Sequence, residues 1–149
     1  MSKYRTLSES NQYYLPKHTY LTCIHYALQY RDWVAMLTAD RDTRGAIRYD
    51  KDKIQTSNDS DSTSATAMKM VEISEKVNMI DDIIYDVCDG SNLVRWVKLG
   101  VCYGFAYFQL MQDGMPCGKN MYYEIRQKFY FELAKKIGLR CLHTVNRMI

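Results

Sequence analysis

Apolar residues recur along this chain mostly at steps of three and four, the period of a helix packed on one side. From Lys17 to about Ala39, Leu21, Ile24, Leu28 and Ala35 make such a stripe, thickened by Tyr20, Tyr26, Tyr30 and Trp33. Pro16 stands just ahead of it, where its fixed φ suits the first turn of a helix. A second helix is predicted from about residue 62. There Met70, Ile73, Val77, Ile80, Ile84 and Val87 alternate steps of three and four, a heptad seam. The seam can pack on the first helix as an antiparallel hairpin or meet the same seam of a second copy. Its shortness favours the hairpin, and both uses are compatible, so these six are also the candidate oligomerisation residues. Residues 1–16 form an arm, polar and then aromatic. Residues 40–62 hold Gly45 and the polar run Gln55–Ser62, the pattern of a flexible loop.

Turn residues punctuate the remainder. Asp89-Gly90-Ser91 predicts a helix stop at Gly90, with Ser91 or Asn92 capping the next helix. Leu93, Val94, Trp96, Val97 and Leu99 predict a short helix ending at Gly100, and a second fits Tyr103 to about Gln112. Asp113-Gly114-Met115-Pro116-Cys117-Gly118 is then a tight break, because Gly114 admits a left-handed residue and Pro116 cannot continue a helix. A long helix follows from about Lys119 to Lys136, with Met121, Ile125, Phe129 and Leu133 at four-residue steps. The expected fold is all-α: a helical hairpin over 17–90, a C-terminal helix-turn-helix over 91–138 and a tail over 139–149.

A short helix, a turn and a longer helix is the plan by which proteins place a helix in the DNA major groove. With Met121, Ile125 and Phe129 inward, Lys119, Asn120, Tyr122, Tyr123 and Arg126 are left on the outside or flanks, and one of Tyr122 and Tyr123 is expected to pack against the N-terminal helix. Asn reads adenine and Arg reads guanine, while Lys, Tyr and helix N–H groups hold phosphates. On this reading Arg126→Ala costs about 1–3 kcal/mol of binding and relaxes one position of the site.

Charge sharpens the contrast between segments. The 149 residues carry a net charge of +3, but residues 50–90 hold 4 basic and 10 acidic groups while 115–149 hold 7 basic and 2 acidic. The basic end can face phosphates; it also suits a solvated helix end, where cations complement the dipole. The 13 Tyr against 4 Phe predict contact surfaces with wet edges. No catalytic chemistry emerges. There is no Walker loop, dinucleotide fingerprint or H-E-x-x-H motif, and His18, His25 and His143 lack a nucleophile partner in a triad motif. Cys23 and His25 could touch a metal, but no second pair at finger spacing follows, so Cys23 reads as a small buried thiol. Asp81-Asp82 reads as solvated surface. No enzyme, metal or cofactor is expected. The polar start, five widely spaced cysteines and absence of a run of about 18 apolar residues point to the cytoplasm, with no membrane partner.

Two stretches carry a family resemblance. Tyr14-Leu15-Pro16-Lys17-His18-Thr19-Tyr20 and Met115-Pro116-Cys117-Gly118-Lys119-Asn120-Met121-Tyr122-Tyr123 resemble the start and turn motifs of a family of small prophage proteins of Firmicutes. The C-terminal half of that family is similar to the DNA-binding region of sigma factors, as in the RinA and ArpU late-gene regulators of phages. The resemblance implies a phage-encoded transcription regulator that binds double-stranded DNA in a bacterial host cell. It carries over Pro116, Cys117 and Gly118 as turn residues and Lys119, Asn120, Tyr122, Tyr123 and Arg126 as recognition-helix residues. This chain departs from it at Asn120-Met121 and Glu124, where relatives are often more basic. A competing expectation is a phage protein that binds and inhibits a host nuclease, as anti-CRISPR and other anti-defence proteins do, or that engages RNA polymerase, through its acidic helix at 69–89. A third is a DNA-packaging adaptor, which requires a ring.

Overall fold

The computed structural model describes residues 7–47 and 59–139, and among them every regular element is a helix. In chain order these are α1 (Lys17–Leu28), α2 (Tyr30–Ile47), α3 (Asp59–Val87), α4 (Val94–Tyr103), α5 (Tyr107–Gln112) and α6 (Lys119–Lys136). The all-α expectation holds. No helix among the described residues is long and apolar enough to cross a membrane.

The predicted first helix is two helices. At Gln29 the backbone N–H reaches back only to the Tyr26 carbonyl, at 3.2 Å, a tighter turn than the α-helical one. The break lets α1 lie against α6 and α4 while α2 lies against α3. The segment predicted as loop, 40–62, is helical at both ends, since α2 runs on to Ile47 and α3 starts at Asp59. The residues from Gln55 to Ser62 carry no apolar stripe, so periodicity does not announce a helix start there. The rest of that expected loop, the first six residues of the arm, and the tail beyond residue 139 lie outside the described residues.

The heptad seam of α3 is spent inside the molecule. Ile73, Val77, Ile80, Ile84 and Val87 are buried and Met70 is partly buried, packed within the chain's own core. They are therefore not an open dimer seam, and the hairpin use prevails. Ile83, off the seam, is buried too, because α3 is covered by α2 on one side and by α4 and α6 on others. Two covered sides widen the apolar stripe beyond a two-position seam.

Helix α4 is the hub, touching all five other helices. Its N-terminal cap differs from expectation. Leu93 occupies the cap position, while Ser91 Oγ accepts the Leu93 N–H at 3.3 Å from outside the helix. Its end differs as well: Gly100 lies within the helix, which runs to Tyr103 and stops at Gly104. Gly100 has a packing role. A Cβ built there would collide with the Tyr122 hydroxyl and stand 3.2 Å from its Cζ, so only glycine lets α6 come this close.

The arm joins the same core. Leu15 is buried, and the Tyr13 ring meets Phe131 of α6 edge-on at 5.7 Å. Pro16 sits at the cap position of α1, one place before the first helical residue.

Candidate nucleic-acid interface

The break between α5 and α6 forms as its sequence predicts. Gly114, at φ 99°, donates its N–H to Met111 O, and Met115 N–H reaches Leu110 O, both at 3.1 Å. This is the Schellman arrangement, and the accompanying apolar pair, Leu110 and Met115, is buried. At the start of α5, Gln109 Oε1 accepts the Ala106 N–H at 2.9 Å, satisfying one open donor of the first turn. The two helices are then tied by a triangle of tyrosines: Tyr107 meets Tyr122 at 5.6 Å and Tyr123 at 5.9 Å, and Tyr122 meets Tyr123 at 5.5 Å. Of the turn residues, Pro116 is exposed and Cys117 half-buried, while Gly118 takes the extended cap position of α6 with no side chain to close its first N–H groups.

Helix α6 is rotated relative to the expectation from spacing. Its buried positions are Tyr122, Phe129, Tyr130, Leu133 and Ala134. Met121, expected inward, is 52% exposed, whereas Tyr122, expected on the outside or a flank unless it is the tyrosine that packs, is 1% exposed. Ile125 is half-buried and Phe129 fully buried, so that part of the stripe holds. Helix α6 carries apolar or aromatic residues on more than one side, with Met121 and Ile125 on one and Tyr122, Tyr123 and Tyr130 on another, so a four-residue period selects no unique face. The choice comes from across the interface, where Gly100 makes room for the Tyr122 ring.

Arg126 turns inward with Tyr122. Its guanidinium lies 5.6 Å from the Tyr130 ring centre and 6.0 Å from that of Tyr123. Tyr20 of α1 closes the group, meeting Tyr130 edge-on at 5.4 Å. The Arg126 Nε is buried with no hydrogen-bond partner. Burial disfavours the Arg126 cation, but the Tyr130 and Tyr20 hydroxyls outweigh it and the net shift is upward. Burial also pushes the Tyr130 phenol to about 12, against the opposing pull of Arg126, and raises Tyr122. Arg126 is thus a cation in an aromatic cage, holding α6 on α1.

Of the five predicted recognition residues, Lys119 and Asn120 are exposed, Tyr123 and Arg126 are half-buried and Tyr122 is buried. The side of α6 left open is Asn120, Met121, Glu124 and Lys128, with Lys119 at its N-terminal edge; Lys128 is the only one of these partly covered. No ion pair holds Lys119 or Lys128 among the described residues. Spacing passes over Glu124 and Lys128. Both are charged residues four apart on the side opposite Tyr122, the signal that could have found them.

Two further groupings lie outside the reading from sequence. Asp81, predicted as plain surface, accepts a hydrogen bond from the Tyr30 hydroxyl at 2.9 Å and an ion pair from Lys98 Nζ at 2.8 Å, joining α2, α3 and α4. Burial, then the Asp81 bond and charge, push the Tyr30 phenol to about 12. Burial pulls the Lys98 ammonium down, but Asp81 more than reverses this. On the outer side of α3, a groove of about 500 Å³ runs between α3 and the end of α6. It is lined by Glu75, Asp82 and Asp86 with Asn78, Met79 and Tyr85, and it ends at Lys136.

Cys23 is fully buried and the neighbouring His25 exposed, so the two do not share a site. Among the described residues no group of three His, Cys, Asp or Glu side chains could hold a metal ion.

No protein-family model, curated protein or solved structure matches this chain.

Proposed function

We propose that this protein is a DNA-binding regulator of the helix-turn-helix type, with α5 as the positioning helix and α6 as the helix that enters the major groove. One observation carries the reading: an 18-residue helix, entered through a Schellman turn and an open glycine cap, presents Lys119, Asn120, Met121, Glu124 and Lys128 to solvent. That set covers the ways a helix reads base edges. Asn pairs with adenine, Glu accepts from cytosine N4, Lys reaches guanine or phosphate, and an apolar side chain such as Met meets the thymine methyl. The open N–H groups of the first turn favour a phosphate. The resemblance of the turn motif to that of a family of small prophage proteins, whose C-terminal half is similar to the DNA-binding region of sigma factors, supports the same reading.

The test is a titration of labelled duplex DNA from the gene's own neighbourhood at two salt concentrations. Phosphate contacts by Lys119 and Lys128 release about two counterions per chain, so log affinity falls against log salt with a slope near −2 for one chain and near −4 for two. Between about 50 and 200 mM salt the affinity then drops by roughly 15-fold to 250-fold. No binding at the lower salt ends the proposal.

A second reading rests on the α3 groove. Its three carboxylates and the exposed Tyr85 suit a protein that occupies the basic channel of a nucleic-acid enzyme, as a nuclease inhibitor does. Capture of a host nuclease or polymerase, lost in Asp82→Lys with Asp86→Lys, supports it.

A further inference from the structure

The stretch from Tyr103 to Gly118 contains one charged residue, Asp113, and no cation. Within it Tyr103 is 37% exposed, Phe105 39%, Phe108 68% and Met111 58%. Phe105, Phe108 and Met111 follow one another at three-residue spacing, while Tyr107 and Leu110, between them, face the core. The result is an uncharged apolar flank on α5 and the segment leading into it.

We propose that this flank is where a second copy of the chain docks, about a two-fold axis that pairs α5 with α5. Size is the first argument. A whole aromatic side chain offers about 150–250 Å², so at these exposures the four side chains leave roughly 400 Å² open per copy. Two copies bury about 800 Å² through these side chains alone. Gly104, Ala106, Gln109 and Gln112, also exposed around them, carry the total past the roughly 1,000 Å² of a specific interface. Charge is the second. A patch with neither sign gives a charged partner nothing to pair with, but it opposes itself without repulsion, as an isologous contact requires. Third, the other candidate dimer surface, the heptad seam of α3, is covered by the chain's own helices. The contact stands whether or not α6 binds DNA; if it does, the dimer presents two α6 helices to two half-sites.

Sedimentation of the full chain over a range of concentrations tests the proposal, with Phe108→Glu, Met111→Glu and, as a control on exposed α3, Val71→Glu. The expected result is a dimer for the parent and the control, and a dimer affinity weakened at least 100-fold by either α5 substitution. Helical circular dichroism should be the same in all four, since each altered side chain is exposed. Phe108→Ser serves as a milder variant and should weaken the dimer in the same direction. A parent chain that stays monomeric at high concentration overturns the proposal. So does a dimer indifferent to the α5 substitutions, or a monomer that uses this flank for a different protein.

Discussion

Gly100 of α4 lies directly beneath the hydroxyl of Tyr122 on α6, at the crossing where the hub helix meets the helix that carries the open face. Gly100→Ala should gain about 1 kcal/mol of helix propensity and lose about 1–3 kcal/mol to overpacking. A net loss of up to about 2 kcal/mol is expected from denaturant melts. Removing the hydroxyl by Tyr122→Phe in the Gly100→Ala background should recover part of that loss, because Cζ still stands close. The two substitutions should couple by about 1 kcal/mol in a double-mutant cycle. Additive effects would show that the contact does not set the rotation of α6.

This contact also explains what sequence can and cannot reveal. The helix content, the stop at Gly114 and the inward stripe of α3 are legible, because each rests on local chemistry: a period, a left-handed glycine, an apolar seam. The rotation of α6 is not. Tyr122 and Met121 are both apolar enough to bury, and the choice depends on a glycine on another helix. The kink at Gln29 has no proline or glycine to announce it; it exists because α1 and α2 have different partners. Asp81 reads as plain surface for a similar reason, since its partners Tyr30 and Lys98 come from other helices. Of the five residues expected on the outer face of α6, Lys119 and Asn120 are exposed, while Met121, Glu124 and Lys128 stand on that face in place of Tyr122, Tyr123 and Arg126.

Arg126 should behave as a structural residue. Arg126→Ala leaves the rings of Tyr130 and Tyr123 facing a gap and should cost about 2–4 kcal/mol of stability. Arg126→Met fills the same space without a buried, unpartnered Nε and should cost under about 1.5 kcal/mol. Melts of both variants check this. Selection of bound sequences should return the same preference for Arg126→Met as for the parent; a preference relaxed at one base pair would return Arg126 to the DNA surface.

Stability should fall on the alkaline side. Tyr30 and Tyr130 hold their protons to about pH 12 when folded, against 10.0 for a free phenol, and burial pushes the Cys102 thiol to about 12 from 9.0. Between these limits the unfolded chain has released protons that the folded chain retains, so stability declines as pH rises. A plateau to about pH 9, then a decline towards pH 12, is expected in thermal melts. Tyrosinate absorbance should show at least two phenols, those of Tyr30 and Tyr130, titrating well above the normal range. In Asp81→Asn the Tyr30 phenol should titrate lower, because the bond and charge that raise it are reduced.

The central claim, that the open side of α6 is the DNA surface, meets its most direct test in one titration. Lys119→Ala, Asn120→Ala and Lys128→Ala combined in one chain remove exposed or partly exposed side chains and no core contact, so the fold should survive. Anisotropy of labelled duplex DNA at low salt should show affinity reduced at least 100-fold against the parent, with a shallower salt dependence. A binding curve that overlays the parent's would contradict the claim and place the DNA surface elsewhere on the molecule.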